Sequence, residues 1–317
     1  MNVRRLIPTA AVAGAVALGL TALSACSTSD TADRGPGDKL NVVASFYPMQ
    51  FLAEEIGGTH VSVTTLTKPG VEPHDLELSP RQIGELGDAD YILYLKGIQP
   101  AVDDAIKLSE STHGVDAAKL TTLEDHGTET GGDEHGHEHE GEGAGADPHI
   151  WLDPVKYAEV AKGVGASLEK TDPGHAADYR KNTDTLVKKL DALNAAYRTG
   201  LRNTATKTFI TTHSAFGYLA ERYGLVQEGI AGIDPEAEPS PARIQEIHTI
   251  AEKNKATTVF FETLASDKTA KTVAADTGLR TDVLDPLEGI TDKSKGDNYI
   301  EVMQSNLAAL QKALGAK

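Results

Sequence analysis

Histidine occurs in two patterns in this chain. His126, His135, His137 and His139 crowd into a stretch rich in acid and glycine. His74, His149 and His213 stand singly in Pro73-His74-Asp75, Asp147-Pro148-His149-Ile150-Trp151 and Thr212-His213-Ser214-Ala215-Phe216. A neutral imidazole is the commonest protein ligand for zinc and its neighbours. The first group has the character of a loose, metal-collecting segment and the second that of a built site, so the residues point to metal handling. Each single histidine also has a plainer reading as a cap or a hydrogen-bonder in a loop. Asp147 and Asp153 have a similar one as helix caps.

The crowded stretch, Thr121 to Asp147, carries nine acids, four histidines and no lysine or arginine. With many glycines and few apolar residues it cannot bury a core, and it is expected to lack fixed structure without metal. A solvated linker is the alternative, but the His-x-His-x-His run at 135–139 favours metal contact.

The first residues read as a targeting segment. Arg4 and Arg5 precede an apolar run from Ile7 to Leu23, followed by Leu23-Ser24-Ala25-Cys26. Residues 1–25 form a secretory signal with a small-residue cleavage site, and the run is too short and too rich in Ala and Gly for a membrane span. Cys26 is the one cysteine of the chain. Its place directly after Leu-Ser-Ala resembles a bacterial lipobox, which implies lipidation of Cys26 and a polar tether over 26–38. A lone cysteine excludes an internal disulfide, so a metal site in the exported domain must use nitrogen and oxygen.

The formal net charge is −17. Such an acidic chain does not bind nucleic acid through phosphates or lie flat on an anionic membrane, although it would attract cations. The roughly 280 residues after the signal exceed one ordinary core and suggest two lobes.

The elements that must position the histidines follow an α/β rhythm. Strands are expected at 40–45, 61–66 and 91–95, with helices between them, giving a parallel sheet in a first lobe over 39–153. Linking helices are expected over 154–202. The second of them, from His175 to about Arg202, has apolar residues at helical spacing (Tyr179, Leu186, Leu190, Leu193, Tyr197) and would reach roughly 40 Å at about 1.5 Å per residue. The second lobe, 203–317, repeats the pattern with strands at 208–211, 257–261 and 281–284. His213, Glu262 and Asp285 each fall just after a strand, where open α/β lobes bind ligands, and His74 has the matching place in the first lobe. His74, His149, His213 and Asp285 therefore make a candidate set suited to zinc. Manganese would favour more oxygen ligands. Asp285 before Pro286 has an alternative as a turn opener.

Several motifs in order give a further reading. They are Gly70-Val71-Glu72-Pro73-His74-Asp75, Asp147-Pro148-His149-Ile150-Trp151-Leu152-Asp153-Pro154, Thr212-His213-Ser214-Ala215-Phe216-Gly217-Tyr218, Ile233-Asp234-Pro235-Glu236-Ala237-Glu238-Pro239-Ser240-Pro241 and Asp285-Pro286-Leu287. From about Lys39 to Lys317 the chain resembles the zinc/manganese solute-binding proteins of bacterial ABC importers, in the cluster with a rigid helix between two lobes. The resemblance implies an α/β fold of two lobes joined by that helix, and places His74, His149, His213 and Asp285 at the family's metal positions. Glu262 is expected on the site's rim or against the ligands. Histidine at position 213 is similar to zinc-type members, and manganese-type members commonly carry Glu there. The acidic His-rich segment also resembles the zinc branch and implies accessory metal capture by His126, His135, His137 and His139. The implied function is a monomeric, lipid-anchored receptor on the outer face of the cell membrane. It would bind Zn2+ tightly and deliver it to an ABC permease, without being an enzyme. A manganese receptor, a metal-containing adhesin and a zinc hydrolase with Glu262 as base are the rivals.

Overall fold

Leu40–Ala44 form the first strand, β1, and every residue but Asn41 is buried. An apolar run without alternation suits a strand covered on both faces, as in a parallel sheet between helices. The computed structural model describes residues 38–109, 113–126 and 146–317. The signal segment, Cys26, most of the tether and His135, His137 and His139 lie outside the described residues.

After β1 come α1 (Tyr47–Gly57), β2 (Val61–Thr65), α2 (Pro80–Gly87), β3 (Tyr91–Tyr94), α3 (Pro100–Ser109) and β4 (Gly114–Asp116). Local chemistry sets the ends of these elements. Pro occupies the first turn of α1, and Gly58 ends it at φ 56°, a conformation that costs other residues more. Ser79 and Gln82 form a reciprocal capping box on α2. The strands pair in parallel in the order β2-β1-β3-β4.

Two helices cross to the second sheet, α4 (Pro154–Thr171) and α5 (Ala176–Gly200). Then follow β5 (Thr208–Thr211), α6 (Gly217–Tyr223), β6 (Val226–Gly229), α7 (Pro241–Asn254), β7 (Thr258–Phe261), α8 (Lys268–Thr277), β8 (Arg280–Val283) and α9 (Tyr299–Leu314). The order β6-β5-β7-β8 repeats the first sheet, again all parallel. The expected α/β class with two parallel sheets and a long helix is what the chain adopts. β4 and β6 were not anticipated. Both are edge strands, and Gly114-Val115-Asp116 and Val226-Gln227-Glu228-Gly229 have no apolar run to betray them. No helix among the described residues is long and apolar enough to cross a membrane.

Helix α5 has 25 residues, about 38 Å at ~1.5 Å each. It buries Tyr179, Thr183, Leu186, Leu190, Leu193 and Tyr197 and packs on α4, on α1 of the first lobe and on α9 of the second. The largest apolar cluster runs through both lobes, including Phe46, Trp151, Tyr197, Phe209 and Tyr299. Buried tyrosine hydroxyls tie its parts together. Tyr157 donates to the Pro48 carbonyl at 2.6 Å, Tyr197 to that of Met303 at 2.6 Å and Tyr299 to that of Trp151 at 2.5 Å. A buried phenol satisfied in this way adds packing and direction at once.

The contact of α4 with α5 depends on Gly165, where an added Cβ would lie 2.2 Å from Thr183 Oγ1. Gly165→Ala is expected to force the two helices apart and cost about 1–3 kcal/mol of stability. Chemical denaturation of the metal-free protein measures this, and an unchanged midpoint would mean that the helix pair does not need the close approach.

Candidate metal centre

Four side chains from distant parts of the chain meet beyond the carboxyl ends of the strands. His74 lies in the loop after β2 and His213 two residues after β5. His149 directly precedes a short 3-10 helix, Ile150–Leu152. Glu288 follows β8 at the end of a tight turn. The Nε2 atoms of His74, His149 and His213 lie 3.4, 3.2 and 3.4 Å from the same oxygen, Glu288 Oε1. All four potential ligand atoms are within 4.8 Å of one another. His149 and Glu288 are fully buried at 0% exposure and His213 nearly so at 2%.

The far side of two imidazoles is anchored. His149 Nδ1 lies 2.8 Å from Asp147 Oδ1 and His213 Nδ1 2.8 Å from Glu262 Oε1. Each carboxylate accepts the Nδ1–H, which fixes the ring and turns Nε2 into the cluster, the arrangement that orients metal-ligating histidines. Glu288 Oε2 is buried without a hydrogen-bond partner among the described residues. A buried polar atom left unpaired is rare and costly.

Electrostatics agree with the geometry. Burial alone would raise the Glu288 carboxyl, but hydrogen bonds from His149, His213 and His74 hold it well below the usual range. Burial opposes charge on His149, and Asp147 and Glu288 outweigh it, so its pKa rises. The same balance, with Glu262 as the main partner, puts His213 well above the ordinary value. Glu72 accepts the His74 backbone N–H at 3.0 Å. Burial, then the charge of Glu288, pushes the Glu72 carboxyl up to about 9. The neighbouring carboxylates are thus what raises the pKa values of His149 and His213.

The structure brings together three of the four residues in the candidate set and replaces the fourth. Asp285 does not join the histidines. Its Oδ1 accepts the Leu287 N–H at 2.9 Å and its Oδ2 the Thr263 hydroxyl at 3.1 Å. Its own backbone is held on both sides by Asn306, at 3.0 and 2.7 Å. The turn-opening reading of Asp-Pro therefore describes this carboxylate, and its product is the placement of Glu288. Leu287 sits at φ 59°, a left-handed conformation uncommon for such a residue. Trp151 Nε1 steadies the turn from the other side by donating to the Pro286 carbonyl at 2.7 Å. Spacing alone does not single out Glu288, because the reversal at Leu287 that turns the next side chain inward has no local signal in the sequence. Glu72 and Asp147, in the His74 and His149 motifs, also contact the cluster's histidines.

Glu262 lies against His213, its Oε1 2.8 Å from Nδ1. His126 is positioned outside the cluster, with Nδ1 3.0 Å from Asp147 Oδ2. Asp153 caps α4 through the Val155 N–H at 2.9 Å, as anticipated.

Residues 42–313 match the family model described as zinc-uptake complex component A, periplasmic. The high-affinity zinc uptake system protein ZnuA of Bacillus subtilis is 39% identical, covering 94% of this chain and 98% of its own. The zinc-binding lipoprotein AdcA of Streptococcus pneumoniae is 37% identical over 91% of this chain, which spans only 58% of the AdcA length. The crystal structure of the Zn(II)-bound ZnuA-like domain of that AdcA superposes with a TM-score of 0.72 at 33% identity, covering 87% of this chain and 99% of the domain. With the match to the family model running through both lobes and all four converging residues, this chain belongs to the ZnuA family of zinc-uptake components.

Proposed function

We propose that this protein is an extracytoplasmic zinc receptor that delivers its ion to an ABC import permease. The observation that carries the reading is the convergence of three Nε2 atoms on Glu288 Oε1. His74, His149, His213 and Glu288 supply three nitrogens and one oxygen, a tetrahedral set suited to zinc. Manganese prefers more oxygen and stands lower in the affinity order. Four protein donors fill a tetrahedral shell and leave no place for a catalytic water, so the protein acts as a carrier rather than a hydrolase. Lipidation of Cys26 would hold a monomeric receptor at the outer membrane face, with residues 26–38 as its tether.

The acidic segment acts as an accessory collector through His135, His137 and His139, and its removal leaves the frame intact. Its two roots are already joined, since the Asp147 N–H donates to the Glu124 carbonyl at 2.9 Å. Tyr218 clamps both, its hydroxyl accepting from Glu124 N at 2.8 Å and donating to the Asp147 carbonyl at 2.7 Å. A variant lacking residues 127–145 is expected to keep one tight zinc site, with manganese at least about tenfold weaker. Titration of the metal-free proteins with each ion reads both outcomes. Tight binding that vanishes with the segment would mean that the three single histidines are structural.

Glu288→Gln and Glu262→Gln separate a ligand from its support. Loss of the support is expected to weaken zinc binding about 10–100-fold, and loss of Glu288 to weaken it more, in competition against a chromophoric chelator. Equal, small losses would remove Glu288 from the ligand set.

Zinc must displace protons from His149 and His213, whose pKa values stand above the ordinary histidine range. Protonation stabilises the metal-free fold below the unfolded-state value of about 6.5, and that contribution fades as pH rises through the folded values. The zinc-induced rise in melting temperature is therefore expected to grow between about pH 6 and pH 8, with proton release detectable by calorimetry in buffers of different ionisation enthalpy. A rise independent of pH, with no protons released, would contradict the protonated metal-free cluster.

A further inference from the structure

A second set of donors stands at the root of the acidic segment, on residues that lie outside the first cluster. Glu124 and His126 lie near the start of that segment and Glu221 comes from α6. Their potential ligand atoms lie within 4.8 Å of one another. His126 Nε2 is 2.8 Å from Glu221 Oε2, and its Nδ1 is 3.0 Å from Asp147 Oδ2. The ring is further fixed by Tyr218, edge-on at 4.2 Å between centroids.

This arrangement repeats the construction of the first cluster. There, Asp147 Oδ1 holds His149 Nδ1 and leaves Nε2 facing the Glu288 carboxylate. Here the other oxygen of the same carboxylate holds His126 Nδ1 and leaves Nε2 facing the Glu221 carboxylate. A histidine backed by one carboxylate and facing another is how proteins orient a metal-binding imidazole. Beside the donors opens a cavity of about 220 Å³, lined by Glu124, Asp153, Lys156, Tyr218, Glu221 and Arg222. That is space for several waters at ~30 Å³ each, which would complete the shell of an ion with three protein ligands.

The cationic neighbours set the strength. Arg222 is engaged by Asp153, Nε to Oδ2 at 2.8 Å. Lys156 lies 2.5 Å from Glu124 Oε1 and donates to the Thr122 carbonyl at 2.8 Å. An arriving ion must compete with the Lys156 ammonium for Glu124, and the Glu221 side chain is 60% exposed. Both features weaken the site relative to the buried cluster.

We propose that Glu124, His126 and Glu221 form a second, weaker divalent-cation site of zinc-like preference, backed by the Asp147 carboxylate that also backs His149. It differs from capture by the His-rich run, since its donors have fixed places in the fold and do not need residues 127–145. The site stands apart from the receptor reading, because its donors are not those of the tight site.

The test is zinc titration, followed by calorimetry and chelator competition, of the full chain and of the variant lacking 127–145. The shortened protein is expected to bind two ions, the second at least about a hundredfold more weakly than the first. Glu221→Gln in the shortened protein changes an exposed side chain that the fold does not require. It is expected to abolish the second event and leave the first within about twofold. His126→Ala should also remove the second. Cobalt(II) in place of zinc gives an independent readout, as the visible absorption of the second equivalent should disappear with either substitution. A shortened protein that binds a single ion, or a second event untouched by Glu221→Gln and His126→Ala, would overturn the proposal. Loss of the tight event with the second intact would instead refute the receptor reading and leave this site standing.

Discussion

A carboxylate taken fully out of water is costly unless opposite charge and hydrogen bonds face it. Glu288 is such a group, and the three imidazoles facing its Oε1 are what make its burial tolerable. The cluster is arranged around this requirement. Asp147 and Glu262 hold two of the rings by Nδ1. The Glu288 charge in turn helps to hold the His149 and His213 pKa values above the ordinary range. The same charge balance explains why Glu72, close to Glu288, is driven toward its neutral form.

Such a cluster is only as good as its frame. His74 hangs from the first sheet, His213 and Glu288 from the second, and His149 from the segment between them. Small displacements would separate donors that must lie within a few ångströms. One apolar cluster runs through both lobes, with α5 packed against helices of each. The Tyr299–Trp151 and Trp151–Pro286 hydrogen bonds run from α9 through the short helix after His149 to the turn that carries Glu288. The donors are thus pre-arranged before any ion arrives, which limits the reorganisation that binding requires.

Asp147 has a double position. One oxygen orients His149 in the buried cluster and the other orients His126 beside the acidic segment. Its neighbour across the hydrogen bond, Glu124, marks the other root of that segment. The most acidic and histidine-rich part of the chain is therefore attached directly behind a residue that supports the central histidines.

Much of this was legible in the residues. Buried parallel strands announce themselves as short apolar runs, and the long helix by its periodic Tyr and Leu. Single histidines after strand ends fall where α/β lobes gather ligands, so the fold class and His74, His149 and His213 follow from local pattern and from resemblance. The fourth member was decided only in three dimensions. Asp285 and Glu288 are both acids beyond the same strand, and no pattern of spacing says which one faces inward. The choice depends on Leu287 entering a left-handed conformation, on Asn306 and Thr263 engaging Asp285, and on Trp151 reaching the Pro286 carbonyl. Those contacts join residues 21, 22 and 135 positions apart, and Glu262 meets His213 from 49 positions away across the sheet. Residue types and local patterns set the chemistry on offer and the elements that carry it. The tertiary structure decided which oxygen meets the nitrogens, because that depends on the direction of side chains set by packing between distant segments.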